Sequence, residues 1–517
     1  MQLFEITLLL LAIAVVLLQV ARRLRVPYPA MLALAGGCVA ALPFAPHLSI
    51  EPRLALALFV APAVMDTAFD LPPREMLRIW LPLTSLAVVL VLLTTAAVAW
   101  AGWALEGLPL AAAVALGAIV APPDAAAAAA VLREFNLPRR TMAVLQGESL
   151  LNDAVALLAF GLAVSAALSP GNAWNTLLPR LAIAVPGGAL LGVAAGVLTI
   201  RVAHKVAGTL STIIVQFLVT FGAWILAERL SLSPIAAVVG LAAVAARYLP
   251  ARTSARDRIN SYAVWATVVF VLNVLAFLLM GLQARVILNQ LPASELRHAL
   301  AFAGIVLGVV IGVRFIWVMT YGRAVRFFRS FFEPRPSDVP MPPARIGVLV
   351  SWCGMRGLVT LATAFSLPPE FPGRNVIVLS AFTVVLGTLV VQGFTIRPLI
   401  ALLRIAPDRS LDLEVTEARR AMLDAALTEL AGHSGTAADA VRGEYIAARA
   451  ASSSGDPNRP VTRYDNVRVL AIAAERRLLI EWRRQGRIFD DTYHLLEDEL
   501  DRAELDTASL GTTSLEG

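Results

Sequence analysis

Lysine is all but missing from this chain: Lys205 is the only one in 517 residues. Cysteine occurs twice, at Cys38 and Cys353, and histidine five times. Two cysteines inside apolar blocks give neither a disulfide framework nor the paired spacing of a zinc site. No Cys/His ligand cluster exists for a redox centre, and no cofactor is expected. The Gly-Lys-Ser/Thr core of a phosphate-cradling loop is also absent, because Lys205 stands between His204 and Val206. These gaps argue against an enzyme. Charge is scarce as well: 15% of residues are charged, against about a quarter in soluble domains.

What fills the chain instead is apolar sequence, 58% of residues, with a mean hydropathy of +0.73. It falls in long blocks such as 6–20, 81–105 and 376–391. Each is close to the ~20 residues that carry a helix across the hydrocarbon core. The first block is not read as a cleavable leader, since Arg22, Arg23 and Arg25 follow it rather than precede it. Apolar blocks predict about thirteen spans. They lie at 5–21, 28–46, 53–68, 78–104, 109–131, 141–168, 180–203, 211–228, 232–248, 260–283, 297–320, 344–366 and 374–402.

The net charge of +6 does not point to nucleic acid, because the arginines sit mostly between apolar blocks. Odd-numbered connections carry clusters such as Arg22, Arg23 and Arg25, then Arg133, Arg139 and Arg140, then Arg247, Arg252, Arg256 and Arg258. Even-numbered ones carry only Arg53, Arg180, Arg229, Arg285, Arg297 and Arg374. Positive charge marks the cytoplasmic side. The expected orientation in the cell membrane is therefore N-terminus outside and C-terminus inside, with lipid as the surrounding partner. After residue 405 the composition turns polar. Residues 1–405 are read as a transmembrane domain and 406–517 as a cytosolic tail, helical at 413–431 and 467–484, with a flexible link at 452–457.

Ionisable groups inside spans are costly and are functional candidates by default. The sixth span holds Gly147-Glu148-Ser149-Leu150-Leu151-Asn152-Asp153. Glu148 and Asn152 share one helix face; Ser149 and Asp153 share the next. The fifth span is interrupted at Ala121-Pro122-Pro123-Asp124. Two prolines remove two backbone donors, a break tolerated in a bilayer only where it is buried or faces water. The Asp124 carboxylate can cap the resumed helix or bind an ion. The twelfth span holds Gly354-Met355-Arg356-Gly357, a second expected break. Arg314, deep in the eleventh span, needs a partner: Glu148 is the first choice, with Arg356 competing for that carboxylate. Asp66 ends the third span and either lines an ion access path or sits at the interface. The interrupted spans are each fifth in a six-span unit, the pattern of inverted repeats in a secondary transporter.

Glu148-Ser149-Leu150-Leu151-Asn152-Asp153 with Gly354-Met355-Arg356-Gly357 resembles the cation:proton antiporter-1 family, which includes bacterial sodium/proton antiporters and animal sodium/proton exchangers. Phe277-Leu278-Leu279-Met280-Gly281-Leu282 and Arg314 match as well. The resemblance implies an all-α fold with crossed broken helices, a homodimer, and a mobile core moving past a dimer scaffold. It implies Asp153 as the ion- and proton-binding carboxylate, Ser149 as a cation ligand, Asn152 as the organiser of hydrogen bonds, and Glu148 as the partner of a membrane arginine. Two departures bear on ion selectivity. The family's Thr-Asp-Pro break reads Pro122-Pro123-Asp124-Ala125 here, so no threonine stands at Pro123. The acidic residue of the third span is Asp66 after Ala61-Pro62 in place of glutamate after a Pro-Pro stretch.

The expected function is exchange of a monovalent cation for a proton. A proton and a dehydrated cation compete for one buried carboxylate, and either neutralises it. With Asn152 neutral and Glu148 paired, one charge is available, which predicts electroneutral exchange. Sodium is the expected ion; potassium or lithium exchange is the close alternative, and a cation channel or membrane sensor with a signalling tail is the alternative from another class.

Overall fold

The structure, a computed structural model, describes residues 2–24, 26–41, 51–71, 76, 79–124, 127–128, 132, 135, 137–168, 173–206, 211–249, 253, 255–289, 292–332, 343–405, 410–452, 463–485, 496, 499–500 and 502–503. Among them there are helices and no strands. The chain divides into two compact units, Met1–Pro407 and Asp408–Gly517.

The first unit contains α1 (Gln2–Leu24), α2 (Tyr28–Ala40), α3 (Pro52–Asp70), α4 (Trp80–Glu106), α5 (Leu110–Val120), α6 (Arg139–Leu168) and α7 (Ala173–Val206). It continues with α8 (Ser211–Arg229), α9 (Pro234–Tyr248), α10 (Ala255–Leu282), α11 (Ala293–Phe332), α12 (Ala344–Trp352), α13 (Leu358–Phe365) and α14 (Arg374–Leu403). Among the described residues, eight helices are long and apolar enough to cross a membrane: α3, α4, α6, α7, α8, α10, α11 and α14. α1 carries the first apolar run, α2, α5 and α9 are apolar but shorter, and the expected twelfth span is split into α12 and α13. Length and apolarity therefore account for eight of the thirteen expected crossings; short and broken helices stand at other expected positions. Most of the second half of the fifth span lies outside the described residues, as do Arg25, Arg74, Arg78, Arg133, Arg252 and Arg335.

Local sequence explains the irregular helices. Pro62 cannot donate to the carbonyl one turn back, and the preceding segment Leu56–Val60 widens into a π-helix. α7 and α9 approach backbone to backbone, because a β-carbon on Gly192 or Gly240 would strike main-chain atoms of Ala237 or Ala189. α2 and α10 do the same through Gly36 and Gly281. Small residues at such crossings are how membrane helices pack where burial from water is no driving force.

Buried side chains form two main clusters. The larger joins α2, α4, α5, α12, α13 and α14 with parts of α6, α10 and α11. The second joins α3, α8, α9 and the first half of α10 around Trp224 and Trp265, and reaches α6 at Leu150. The groups described below lie where these clusters meet.

The second unit holds α15 (Ser410–Leu430), α16 (Thr436–Ser452) and α17 (Arg463–Arg484). Arg449 Nε pairs with Asp424 Oδ1 at 2.6 Å, and Arg442 Nη2 donates to the carbonyls of Leu430 and His433, tying α15 to α16. The sequence reading did not anticipate α16. Its helix is rich in alanine, a strong helix former. The link expected at 452–457 begins at the last residue of α16 and otherwise lies outside the described residues.

Candidate functional site

α5 stops at Val120 because Pro122 and Pro123 cannot donate to the carbonyls of Ala118 and Ile119. α12 stops at Trp352, and helix resumes at Leu358 after the non-helical stretch Cys353 to Gly357. These two interruptions touch. The backbone N–H of Asp124 donates to the Met355 carbonyl at 2.7 Å. The Arg356 guanidinium donates through Nη1 to the Ala121 carbonyl. The Arg356 backbone N–H donates to Thr388 Oγ1 of α14 at 3.0 Å, and that hydroxyl donates to the Val385 carbonyl at 3.1 Å. The Ala121 carbonyl and Asp124 N–H of the first break, and the Met355 carbonyl and Arg356 N–H of the second, are thus taken up by the other break or by α14, as a buried backbone requires.

Two glycines permit the contact. A β-carbon at Gly357 would overlap the Asp124 carboxylate, and one at Gly354 would overlap the Arg314 side chain. The need is space, since neither residue has a positive φ.

α6 passes beside the crossing. Glu148 and Arg314 are each 1% exposed and form a two-pronged ion pair: Nη1 donates to Oε1, and Nη2 to Oε2 at 2.9 Å. Arg314 also donates through Nε (3.2 Å) and Nη2 (3.0 Å) to the Val350 carbonyl, in the last turn of α12. That carbonyl belongs to a helix end, where a cation is favourable. Arg356, the competing partner for Glu148, turns to the other break. One turn after Glu148, Asn152 donates through Nδ2 to the Pro123 carbonyl at 3.2 Å, while its buried Oδ1 finds no donor among the described residues.

Asp153 is 6% exposed and, with Ser149 and Asp124, lines a cleft between the crossing and the pair α3 and α10. The Pro123 side contributes backbone alone: its carbonyl is held by Asn152. Asp66 is not brought to Asp153. It lines a separate cavity among α3, α8, α9 and α10, together with Asp70, Gln216, Arg258 and Trp265. α3 separates the two spaces, with Thr67 facing the Asp153 cleft and Asp66 the other. Sequence reasoning missed Thr67, Asn273 and Thr388. Asn273 had a signal, since it is the one polar side chain between Thr267 and Gln283.

Residues 8–402 match the sodium/hydrogen exchanger transmembrane family. An uncharacterized Na+/H+ exchanger of Mycobacterium tuberculosis (strain ATCC 25618 / H37Rv) is 31% identical over 460 residues, covering 84% of this chain and 81% of the relative. A sodium, potassium, lithium and rubidium/H+ antiporter of Bacillus subtilis is 28% identical, covering 93% of this chain and 74% of the relative. In fold the chain is similar to the sodium proton antiporter MjNhaP1 from Methanocaldococcus jannaschii, at a TM-score of 0.57 and 17% identity, covering 76% of this chain and 97% of that one. This chain belongs to the sodium/hydrogen exchanger family of multi-pass membrane proteins.

Proposed function

We propose that the protein is a secondary active antiporter that exchanges sodium for protons by alternating access, with Asp153 as the group both ions share. One observation carries this reading. Of the two carboxylates on α6, Glu148 is neutralised by Arg314, whereas Asp153 opens into a cleft it shares with Ser149 and Asp124.

The chemistry follows from the cost of a bare charge. An ionised carboxylate held away from water is expensive unless a partner neutralises it. A proton does so by bonding to an Asp153 oxygen; a dehydrated cation does so by coordination to that carboxylate and the Ser149 hydroxyl. The two cannot occupy the oxygen together. The loaded site is neutral, and the empty one carries a charge that opposes movement through the membrane. One charge at the site gives one cation for one proton, an electroneutral exchange. Asn152 holds the crossing to α6 through Pro123. Glu148, Arg314 and Arg356 hold the helix ends and carry no ion. Asp124 lines the cleft beside the second break, and Asp66, across α3, draws cations toward the site along an access path.

Residues 1–405 form the exchanger and 406–517 a cytosolic tail, in a homodimer in the cell membrane with the N-terminus outside and lipid around it. The arginine distribution supports the orientation. The protein works as a carrier and not as an enzyme.

The test uses inside-out vesicles from an antiporter-deficient bacterium. Respiration builds a proton gradient, a pH-sensitive dye reads it, and sodium, lithium and potassium are added in turn. Cation-dependent collapse of the gradient, lost in Asp153→Asn, establishes exchange and identifies the ion. No response to any cation over a broad pH range, with the protein present in the membrane, overturns the reading.

A further inference from the structure

The cleft at Asp153 has two unlike walls. One wall brings Asp124, Ser149 and Asp153. The facing wall, from α3 and α10, is apolar at Phe59, Val60, Ala276 and Phe277, with two exceptions, Thr67 and Asn273.

Both exceptions are costly where they stand. Asn273 lies within the apolar stretch Asp257–Leu288, whose mean hydropathy reaches 2.4. An amide at such depth is stabilised by hydrogen bonding to a partner. Among the described residues, no hydrogen bond engages the Asn273 side chain. Thr67 departs in the same way from several membrane threonines; Thr94, Thr95 and Thr363 likewise find no partner among the described residues, but of these Thr67 alone lines the cleft. Thr199, Thr220, Thr267 and Thr320 donate to the carbonyl four residues back at 2.7–2.8 Å, so their hydroxyls are satisfied within their own helices. Thr67 makes no such bond among the described residues. Two polar side chains therefore line the cleft on the wall opposite the exchange carboxylate.

We infer that Asn273 Oδ1 and Thr67 Oγ1 are cation ligands on the facing wall and set the ion preference of the exchanger. The inference rests on the antiport reading and deepens it. A cation that sheds water needs oxygens in its place, and their number and spacing discriminate among ions of equal charge. Asp153 and Ser149 supply oxygens from one side only. Pro123, in the first break, has no hydroxyl to add. Neutral donors from α3 and α10 complete the shell without changing the charge count, so the one-for-one exchange is kept. A proton needs a single carboxylate oxygen, so the cation alone bridges the two walls.

The decisive measurement compares wild type, Asn273→Ala and Thr67→Val for sodium, lithium and potassium exchange in proteoliposomes, with sodium binding to the same purified proteins followed by calorimetry. Each variant is expected to raise the sodium KM about fivefold to tenfold, the loss of one oxygen contact, and to change the ratio of sodium to potassium KM. The increase falls on KM more than on the maximal rate, and calorimetric sodium affinity weakens in parallel. Asn273→Ser, which keeps an oxygen at a shorter reach, is expected to recover part of the affinity and serves as the readout if the alanine variant does not fold. If the KM values, their ratio and sodium affinity match wild type in both positions, the facing wall is not a ligand and the inference is overturned while antiport stands. If wild type itself neither exchanges nor binds any of the three cations, the antiport reading fails first.

Discussion

Asp124 and Met355 are joined by a backbone hydrogen bond of 2.7 Å, N–H to carbonyl, between two helix breaks more than two hundred residues apart in sequence. Each break leaves main-chain groups that lipid cannot satisfy. Placing the breaks against each other lets the exposed donors of one meet the acceptors of the other. The cost of interrupting two helices is thereby offset at a single point, and the Asp153 cleft opens beside it.

Gly357 sets how closely the breaks approach. A methyl group there would overlap the Asp124 carboxylate. Gly357→Ala is expected to lower exchange at least about tenfold, since a displacement near an ångström at a binding site costs that much or more. Gly222→Ala is the matched control, because a β-carbon at Gly222 meets nothing within 4 Å. Equal activity of the two variants in the vesicle assay would show that the contact is dispensable.

The Glu148–Arg314 pair is buried on both sides. Removing either partner leaves an uncompensated charge, and removing the Arg314 guanidinium also leaves the Val350 carbonyl without its donor. Glu148→Gln and Arg314→Gln are each expected to destabilise the protein by roughly 3–5 kcal/mol, seen as a lower melting temperature in detergent. The double variant Glu148→Gln/Arg314→Gln should lose less than the sum of the two single losses, because no lone charge remains. Strict additivity would mean that the two side chains do not act as a pair.

A site with one exchangeable charge makes the rate independent of membrane potential. Potassium-loaded proteoliposomes clamped with valinomycin at different potentials should exchange sodium for protons at the same rate. Acceleration on one sign of potential would indicate a second moving charge, with Asp124, the other carboxylate lining the cleft, as the candidate.

Asp66 acts at a distance if it guides cations along α3 without binding them. Asp66→Asn is then expected to raise the sodium KM about twofold at low ionic strength, and the effect should fade when choline chloride shortens the screening length. A KM change that persists at high salt would make Asp66 a ligand, in spite of its place in the neighbouring cavity.

Much of this was legible in the residues themselves. Apolar blocks with sparse charge specify an all-helical membrane protein, because a bilayer accepts few other backbones. Pro122-Pro123 and Gly354 to Gly357 marked the interruptions, since proline removes a donor wherever it falls. Glu148, Asn152, Asp153, Arg314 and Arg356 stood out because charge and amide are expensive in those surroundings. None of that local chemistry contains distance. Whether Arg314 or Arg356 meets Glu148, whether Asp66 shares a space with Asp153, and which walls face the carboxylate depend on contacts between segments far apart in the chain. Asn273 shows the division most plainly: its isolation among apolar residues is a property of the sequence, but only packing of α10 against the crossing turns its amide toward Asp153's cleft.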